Sequence, residues 1–327
     1  MPRVLVTPTM LLRKPGAYSE ILEQGGFEVV YPPEGADTQK AEVIGPLVQT
    51  VDAVLASTEP LRGETLASST LRAIARMGVG YDSVDIRQAT ELGIAVTITP
   101  GVLEDSVAEH TMAMLLALTR DIVKRDREVR EGVWPRLGLP RLAGKTFGII
   151  GLGRIGRAVA ERALGFQMKV IAFDPFADPA FAATQGIEML SLEDLLASSD
   201  VVSLHAASTP ETRDLINATT LGQIKQGAIL VNTSRGDLVD EDALCDALRN
   251  GKLWGAALDV FKKEPLPLDS ELLTFPNVLL CTHMGGLDLA SEVAGSSLAA
   301  QCIVDLYQNK PPLNCMVNRQ IADGWKW

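Results

Sequence analysis

Six consecutive residues, Gly151-Leu152-Gly153-Arg154-Ile155-Gly156, spell GxGxxG directly after a β-branched run ending at Ile150 and directly before a helical pattern over residues 157–164. In that setting each glycine has a task. Gly151 permits a tight turn, Gly153 lets the backbone approach a pyrophosphate, and Gly156 lets helix and sheet close together, while the helix N-terminus faces the negative charge. Asp174 lies 18 residues beyond Gly156, at the end of the next strand pattern. A carboxylate there accepts hydrogen bonds from the adenosine ribose hydroxyls and repels a 2′-phosphate; in its Asp-Pro turn it could equally cap a helix, and the two roles can coexist. No Lys or Arg occurs from residue 170 through residue 212. The cofactor reading is therefore NAD rather than NADP.

Hydride transfer from a nicotinamide to a keto group needs a general acid for the oxygen and a cation to orient the substrate. The chain has only three histidines to supply the acid. His110 lies inside an apolar helical pattern and reads as a core or interface histidine. His205 follows a strand pattern on the side where the cofactor passes, as a packing or hydrogen-bonding residue. His283 follows the last strand pattern, with Gly285 and Gly286 beyond it, at a carboxyl end where doubly wound sheets place their ligands. It is the preferred acid. Two more segments end in the same crevice: Arg235, in Asn232-Thr233-Ser234-Arg235-Gly236, can hold a carboxylate bidentately, and Glu264 can favour the His283 imidazolium.

These residues need a scaffold that brings strand ends together. Short apolar strand patterns at residues 4–6, 27–30, 53–56, 73–75 and 94–96 alternate with amphipathic segments, and a second series follows at 147–150, 170–173, 201–204, 228–231, 256–259 and 278–281. That alternation predicts an α/β protein of two doubly wound parallel sheets, the second with six strands. Between the series, residues 107–118 are apolar almost all round at helical spacing and must be buried on every face, with a partner subunit as a reasonable cover for one side. Residues 124–131 are charged and read as a solvated face.

The 327 residues suit two domains. A net charge of −11 disfavours nucleic acid and anionic membranes as partners and leaves small molecules. Four cysteines, Cys245, Cys281, Cys302 and Cys315, show neither CxxC spacing nor a histidine cluster, so no metal site is expected. No export signal and no apolar run of membrane-spanning length is visible, which points to a cytoplasmic protein.

Several signatures in order resemble the NAD-dependent D-isomer-specific 2-hydroxyacid dehydrogenases, in the branch of the phosphoglycerate dehydrogenases and hydroxypyruvate reductases without a C-terminal regulatory domain. They are residues 76–85 (RMGVGYDSVD), the GLGRIG turn, residues 232–240 (NTSRGDLVD), residues 257–261 (ALDVF) with Glu264-Pro265, and His283-Met284-Gly285-Gly286. The resemblance implies a flavodoxin-like substrate domain, residues 1–100 completed by 288–327, and an inserted Rossmann domain, 101–287. It implies a homodimer built on a helix over 103–131. By the same resemblance Arg235 binds the substrate carboxylate and keto oxygen, His283 is the acid/base and Glu264 its partner, with backbone amides at Val79 and Gly80 on the carboxylate. Val79, Arg154, Ile155, Asp174, Ala206, Thr233, Ser234, Asp259, His283 and Gly285 join the three turn glycines around NAD, Arg154 and Ile155 at the pyrophosphate and Asp259 at the nicotinamide amide. The implied reaction is reversible hydride transfer between NADH and a small 2-oxo acid such as hydroxypyruvate or glyoxylate. The alternatives are phosphoglycerate dehydrogenase activity and a non-catalytic, NAD-sensing protein like the corepressors related to this family.

The chain departs from the family pattern in three places. Cys281-Thr282 stand where Thr-Pro usually precedes the histidine, and Leu287-Asp288 where a Thr usually follows the glycines. Ala56-Ser57-Thr58-Glu59 replaces the segment in which phosphoglycerate dehydrogenases place an Arg-Ser pair, although Arg62, Arg72 and Arg76 are candidates for a phosphate.

Overall fold

The computed structural model describes residues 1–327, which divide into two compact units: Met1–Leu103 with Asp288–Trp327, and Glu104–Leu287. In the first unit, strands β1 (Arg3–Val6), β2 (Glu28–Val30), β3 (Ala53–Ala56), β4 (Ala73–Arg76) and β5 (Ala95–Thr97) form one parallel sheet in the order β2-β1-β3-β4-β5. This is the flavodoxin-like order. Side chains alternate across it, as a sheet buried on both faces requires. Val4, Val6, Leu55 and Ala75 face the helices Ala17–Gln24 and Leu289–Tyr307, while Leu5, Val54, Ile74 and Val96 join a second core with Ile44, Leu66 and Ala89.

The chain's end completes this unit. Trp325 donates its indole N–H to the Gly93 carbonyl at 2.8 Å, and the Trp327 ring stacks edge-on against Phe27 and Tyr307 at 5.5 and 5.3 Å. Arg72 is engaged here too, through the Lys326 carbonyl. Arg76 is nearly buried and gives two N–H bonds to the Gly80 carbonyl, which fixes the loop after β4. Asp288 caps the Leu289–Tyr307 helix by accepting the Ser291 N–H at 2.8 Å. Its presence in place of the usual Thr thus has a local cause, since Asp is a strong N-cap.

The second unit holds β6 (Thr146–Ile150), β7 (Lys169–Phe173), β8 (Glu188–Met189), β9 (Val201–Leu204), β10 (Ala228–Asn232), β11 (Leu253–Leu258) and β12 (Val278–Leu280). All pairs are parallel, in the order β12-β11-β10-β9-β6-β7-β8. Relative to β6 this is the dinucleotide-binding order with one strand added, and the reversal falls between β6 and β9. The sheet has seven strands where six were expected. The extra one, β8, is two residues long and exposed, too short for any periodicity to mark it.

The expected helix over 103–131 is two helices, Glu104–Thr119 and Ile122–Arg130. Asp121 between them adopts φ 54°, a left-handed conformation that Asp tolerates better than most residues. The break lies where the burial demand changes: nine residues of the first helix are buried and none of the second. Nor does the apolar first helix need a partner subunit for most of its cover. Met112, Leu115 and Leu118 pack with Val159, Ala160 and the β6 and β10 side chains of the same unit. The apolar surface left open lies further on, at Ile122, Val123, Val129, Val133, Trp134 and Leu137. No helix is long and apolar enough to cross a membrane.

Candidate active site

The GxGxxG turn sits on the end of β6, where the Gly151 N–H bonds to the Phe173 carbonyl and the His205 N–H to the Ile150 carbonyl. A Cβ on Gly151 would meet the His205 carbonyl carbon at 2.6 Å, and one on Gly156 would meet the Gly151 oxygen at 2.0 Å. Those two glycines are required for packing. Gly153 has φ −71° and nothing within 4 Å of a built Cβ, so the open face is at the helix N-terminus, where Arg154 and Ile155 begin the first turn. Two packing glycines flanking one open glycine form a cradle for a pyrophosphate. The residues present fit a bound dinucleotide.

Asp174 joins this cradle. Its Oδ2 accepts the Leu152 N–H and its Oδ1 the Phe176 N–H, each at 2.8 Å. It does not cap the next helix, whose N-cap is Asp178. The carboxylate is thus fixed beside the turn by two backbone N–H groups. Replacing Asp174 with Ala should raise the KM for NADH about tenfold, as expected for losing hydrogen bonds to a charged acceptor, and narrow the preference over NADPH. Paired KM measurements with the two cofactors check this.

His205 stays neutral: desolvation of its ring pushes the imidazole down to about 3, while its Nε2 lies 2.8 Å from the Ser203 hydroxyl. That is a hydrogen-bonding residue at the edge of the crevice and not an acid. Ala206 follows it, half-buried against the core under Gly151.

Three strand ends of the same sheet carry the remaining chemistry. After β10, the Asn232 side chain folds the turn: its Oδ1 accepts the Ser234 N–H and hydroxyl, and its Nδ2 donates to the Arg235 carbonyl at 2.8 Å. Thr233 is tied by its hydroxyl to that of Thr111 at 2.8 Å. Arg235 donates to the Ser234 carbonyl at 2.6 Å from one guanidinium nitrogen. A Cβ on the next residue, Gly236, would fall 1.9 Å from the Phe261 carbonyl carbon, so this glycine lets the loop after β10 lie against the loop after β11. Asn232 and Gly236 lie inside the NTSRGDLVD motif, but these contacts are not visible from its residues alone.

Glu264, on the loop after β11, accepts the Phe261 N–H on Oε1 at 2.9 Å and faces His283 with Oε2, 2.7 Å from Nδ1. A carboxylate on Nδ1 orients the ring and leaves Nε2 for chemistry. Both side chains are about one-third exposed, at 34% and 35%. His283 itself has φ 57°, a left-handed backbone unusual for a side chain of this size. Asp259, expected at the nicotinamide amide, is wholly buried and its oxygens are engaged within the chain: Oδ1 accepts the Met284 N–H at 2.9 Å and Oδ2 the Gly285 N–H at 2.8 Å. Burial alone would raise this carboxyl. The His110 contact and the two N–H groups outweigh it and hold Asp259 below the usual carboxylate range. Val79 and Gly80 belong to the first unit, in the loop after β4, beside Gly78, which is pinned to Thr99 in both directions.

A histidine–carboxylate pair and an arginine on consecutive strand ends, beside a dinucleotide cradle at the switch point, define a nicotinamide-dependent oxidoreductase acting on an anionic keto or hydroxy substrate. Residues 112–285 match the family described as "D-isomer specific 2-hydroxyacid dehydrogenase, NAD binding domain". The chain is 38% identical to a glyoxylate reductase of Korarchaeum cryptofilum over 98% of this chain and 97% of that protein. It is 41% identical to a D-3-phosphoglycerate dehydrogenase of Archaeoglobus fulgidus over 76% of this chain, but that match spans only 48% of the longer protein. Among solved structures, D-lactate dehydrogenase from Aquifex aeolicus, complexed with NAD and lactic acid, superimposes with a TM-score of 0.84 at 29% identity, covering 96% of this chain and 98% of that one. The chain belongs to the D-isomer-specific 2-hydroxyacid dehydrogenase family. It is an NAD-dependent enzyme that interconverts 2-oxo acids and D-2-hydroxy acids.

Proposed function

We propose that the chain reduces glyoxylate or a similarly small 2-oxo acid with NADH. The observation that carries this reading is the 2.7 Å contact between His283 Nδ1 and Glu264 Oε2, on strand ends adjoining the Arg235 loop. Arg235 binds the substrate carboxylate and keto oxygen. His283 gives the proton from Nε2 to the developing alkoxide, and Glu264 holds the ring in line and stabilises its charge. Gly151, Gly153, Arg154, Ile155, Gly156, Asp174, Ala206, Thr233, Ser234 and Gly285 hold the dinucleotide. The bound cofactor supplies the hydride. In the oxidative direction His283 takes the proton back.

Support for a small, unphosphorylated substrate comes from the glyoxylate reductase relatives and from two of the three candidate arginines of the first unit. Arg72 and Arg76 are engaged by the Lys326 and Gly80 carbonyls. The Glu59 carboxylate occupies the loop after β3, accepting the Ser57 N–H. Steady-state kinetics with glyoxylate, hydroxypyruvate, pyruvate and phosphohydroxypyruvate test this. The first three should be turned over with NADH and the phosphorylated acid at least tenfold less efficiently in kcat/KM; a preference for the phosphorylated acid would overturn the assignment.

Glu264 supplies a further prediction. Glu264→Gln keeps the size of the side chain beside His283 but loses the carboxylate that faces Nδ1. The kcat should fall about tenfold, the scale of one charge-assisted hydrogen bond, with the KM for NADH within about threefold of wild type. Turnover identical to wild type would remove Glu264 from this role.

We further infer a cytoplasmic homodimer. The apolar side chains exposed between residues 122 and 137, Trp134 and Leu137 above all, support a surface covered by a second copy. Size-exclusion chromatography with light scattering should give twice the chain mass.

A further inference from the structure

We propose that His110 is a positioning residue for the proton donor, bracing the Asp259 carboxylate and, through it, the backbone turn that carries His283. The proposal rests on the reading of His283 as donor and extends it to a side chain on a different element. Three consecutive N–H groups of that turn end on one residue: His283 on the Asp259 carbonyl at 2.8 Å, Met284 on Oδ1 at 2.9 Å and Gly285 on Oδ2 at 2.8 Å. His110, on the Glu104–Thr119 helix, places Nε2 3.2 Å from Asp259 Oδ1. One helical turn earlier, Ser106 donates its hydroxyl to the Gly285 carbonyl at 2.9 Å. Residues four apart share a helix face, so this face grips the turn at two points.

The ring also lies close beside the turn. A Cβ built on Gly285 would lie 3.6 Å from His110 Cδ2 and 3.1 Å from Asp259 Oδ2, so glycine is what lets the three groups close up. The need for such a brace is visible at His283, whose φ of 57° persists only where the surroundings over-determine it. An Asp259 carboxylate free to rotate would release two of the three N–H groups and let the turn relax. Cys281 completes a group of three whose ligand-type atoms lie within 4.8 Å of one another. Because both Asp259 oxygens already receive backbone N–H groups, the arrangement fits an anchor better than a metal centre.

Amide hydrogen exchange over residues 282–288 in the ligand-free protein tests this, together with kcat and KM, in His110→Leu and His110→Gln. Leucine fills the space without a donor, whereas glutamine keeps an N–H donor within reach. In His110→Leu, exchange in the turn should quicken about tenfold and kcat fall about tenfold, with the KM for NADH within about threefold of wild type, and His110→Gln should recover most of both. Should the leucine variant fail to fold, His110→Asn, which lacks the reach, takes its place. Unchanged exchange and kcat would overturn the proposal, as would exchange quickened equally across β6 and the Arg154–Gly165 helix. The exchange result does not depend on which group donates the proton. Turnover retained in His283→Ala would therefore remove the donor reading while leaving the brace standing or falling on its own data.

Discussion

His283→Ala loses roughly a hundred- to ten-thousandfold in kcat, while NADH binds within about threefold of wild type. The size follows from what the ring does. Without a group beside the substrate oxygen, the alkoxide formed on reduction must take its proton from water. Cofactor affinity is spared because the cradle at Gly153 and the Asp174 carboxylate stand on β6 and β7, away from the β12 end. Stopped-flow turnover and fluorescence titration with NADH separate the two quantities. A variant that loses both would place His283 in cofactor binding instead.

Arg235→Lys is the second large effect, and here the charge is kept. A lysine ammonium is a compact point charge, whereas the guanidinium offers a planar fork that matches a carboxylate with two parallel hydrogen bonds. Losing a charge-assisted bond of this kind costs about 1.5–3 kcal/mol, which predicts a fall in kcat/KM of roughly ten- to a hundredfold, carried mainly by the substrate KM if the contact forms before the chemistry. Arg235→Gln, lacking the charge, should fall further. Equal kcat/KM for the lysine variant and wild type would show that Arg235 acts at a distance, through its field alone.

Much of this site is legible before any coordinates, and for a physical reason. The GxGxxG turn announces itself because two of its glycines answer backbone demands that no other residue meets: a Cβ on Gly156 would fall 2.0 Å from the Gly151 oxygen and one on Gly151 2.6 Å from the His205 backbone. Arg235, Glu264 and His283 are legible because each lies within five residues of the end of an apolar strand pattern, and parallel strands deliver their carboxyl ends to one edge. What escapes is whatever depends on a contact distant in sequence. Nothing near Asp259 announces that its carboxylate is claimed by Met284 and Gly285, nor that His110, read as a core or interface histidine, lies against it. The break at Asp121 escapes for a different reason: helical periodicity carries through it, and only a change in what surrounds the two halves sets it. Asp288, a departure from the family pattern when seen alone, becomes a helix cap once Ser291 is placed.

In this enzyme hydride passes from the bound nicotinamide to C2 of a 2-oxo acid, giving the D-hydroxy acid. The most direct measurement supplies NADH deuterated at C4, on the transferred position, with hydroxypyruvate, and follows both the label and the configuration of the product. One NADH should be oxidised per product formed, with deuterium at C2 and the D-configuration. Label lost to solvent, or an L-configured product, would contradict it.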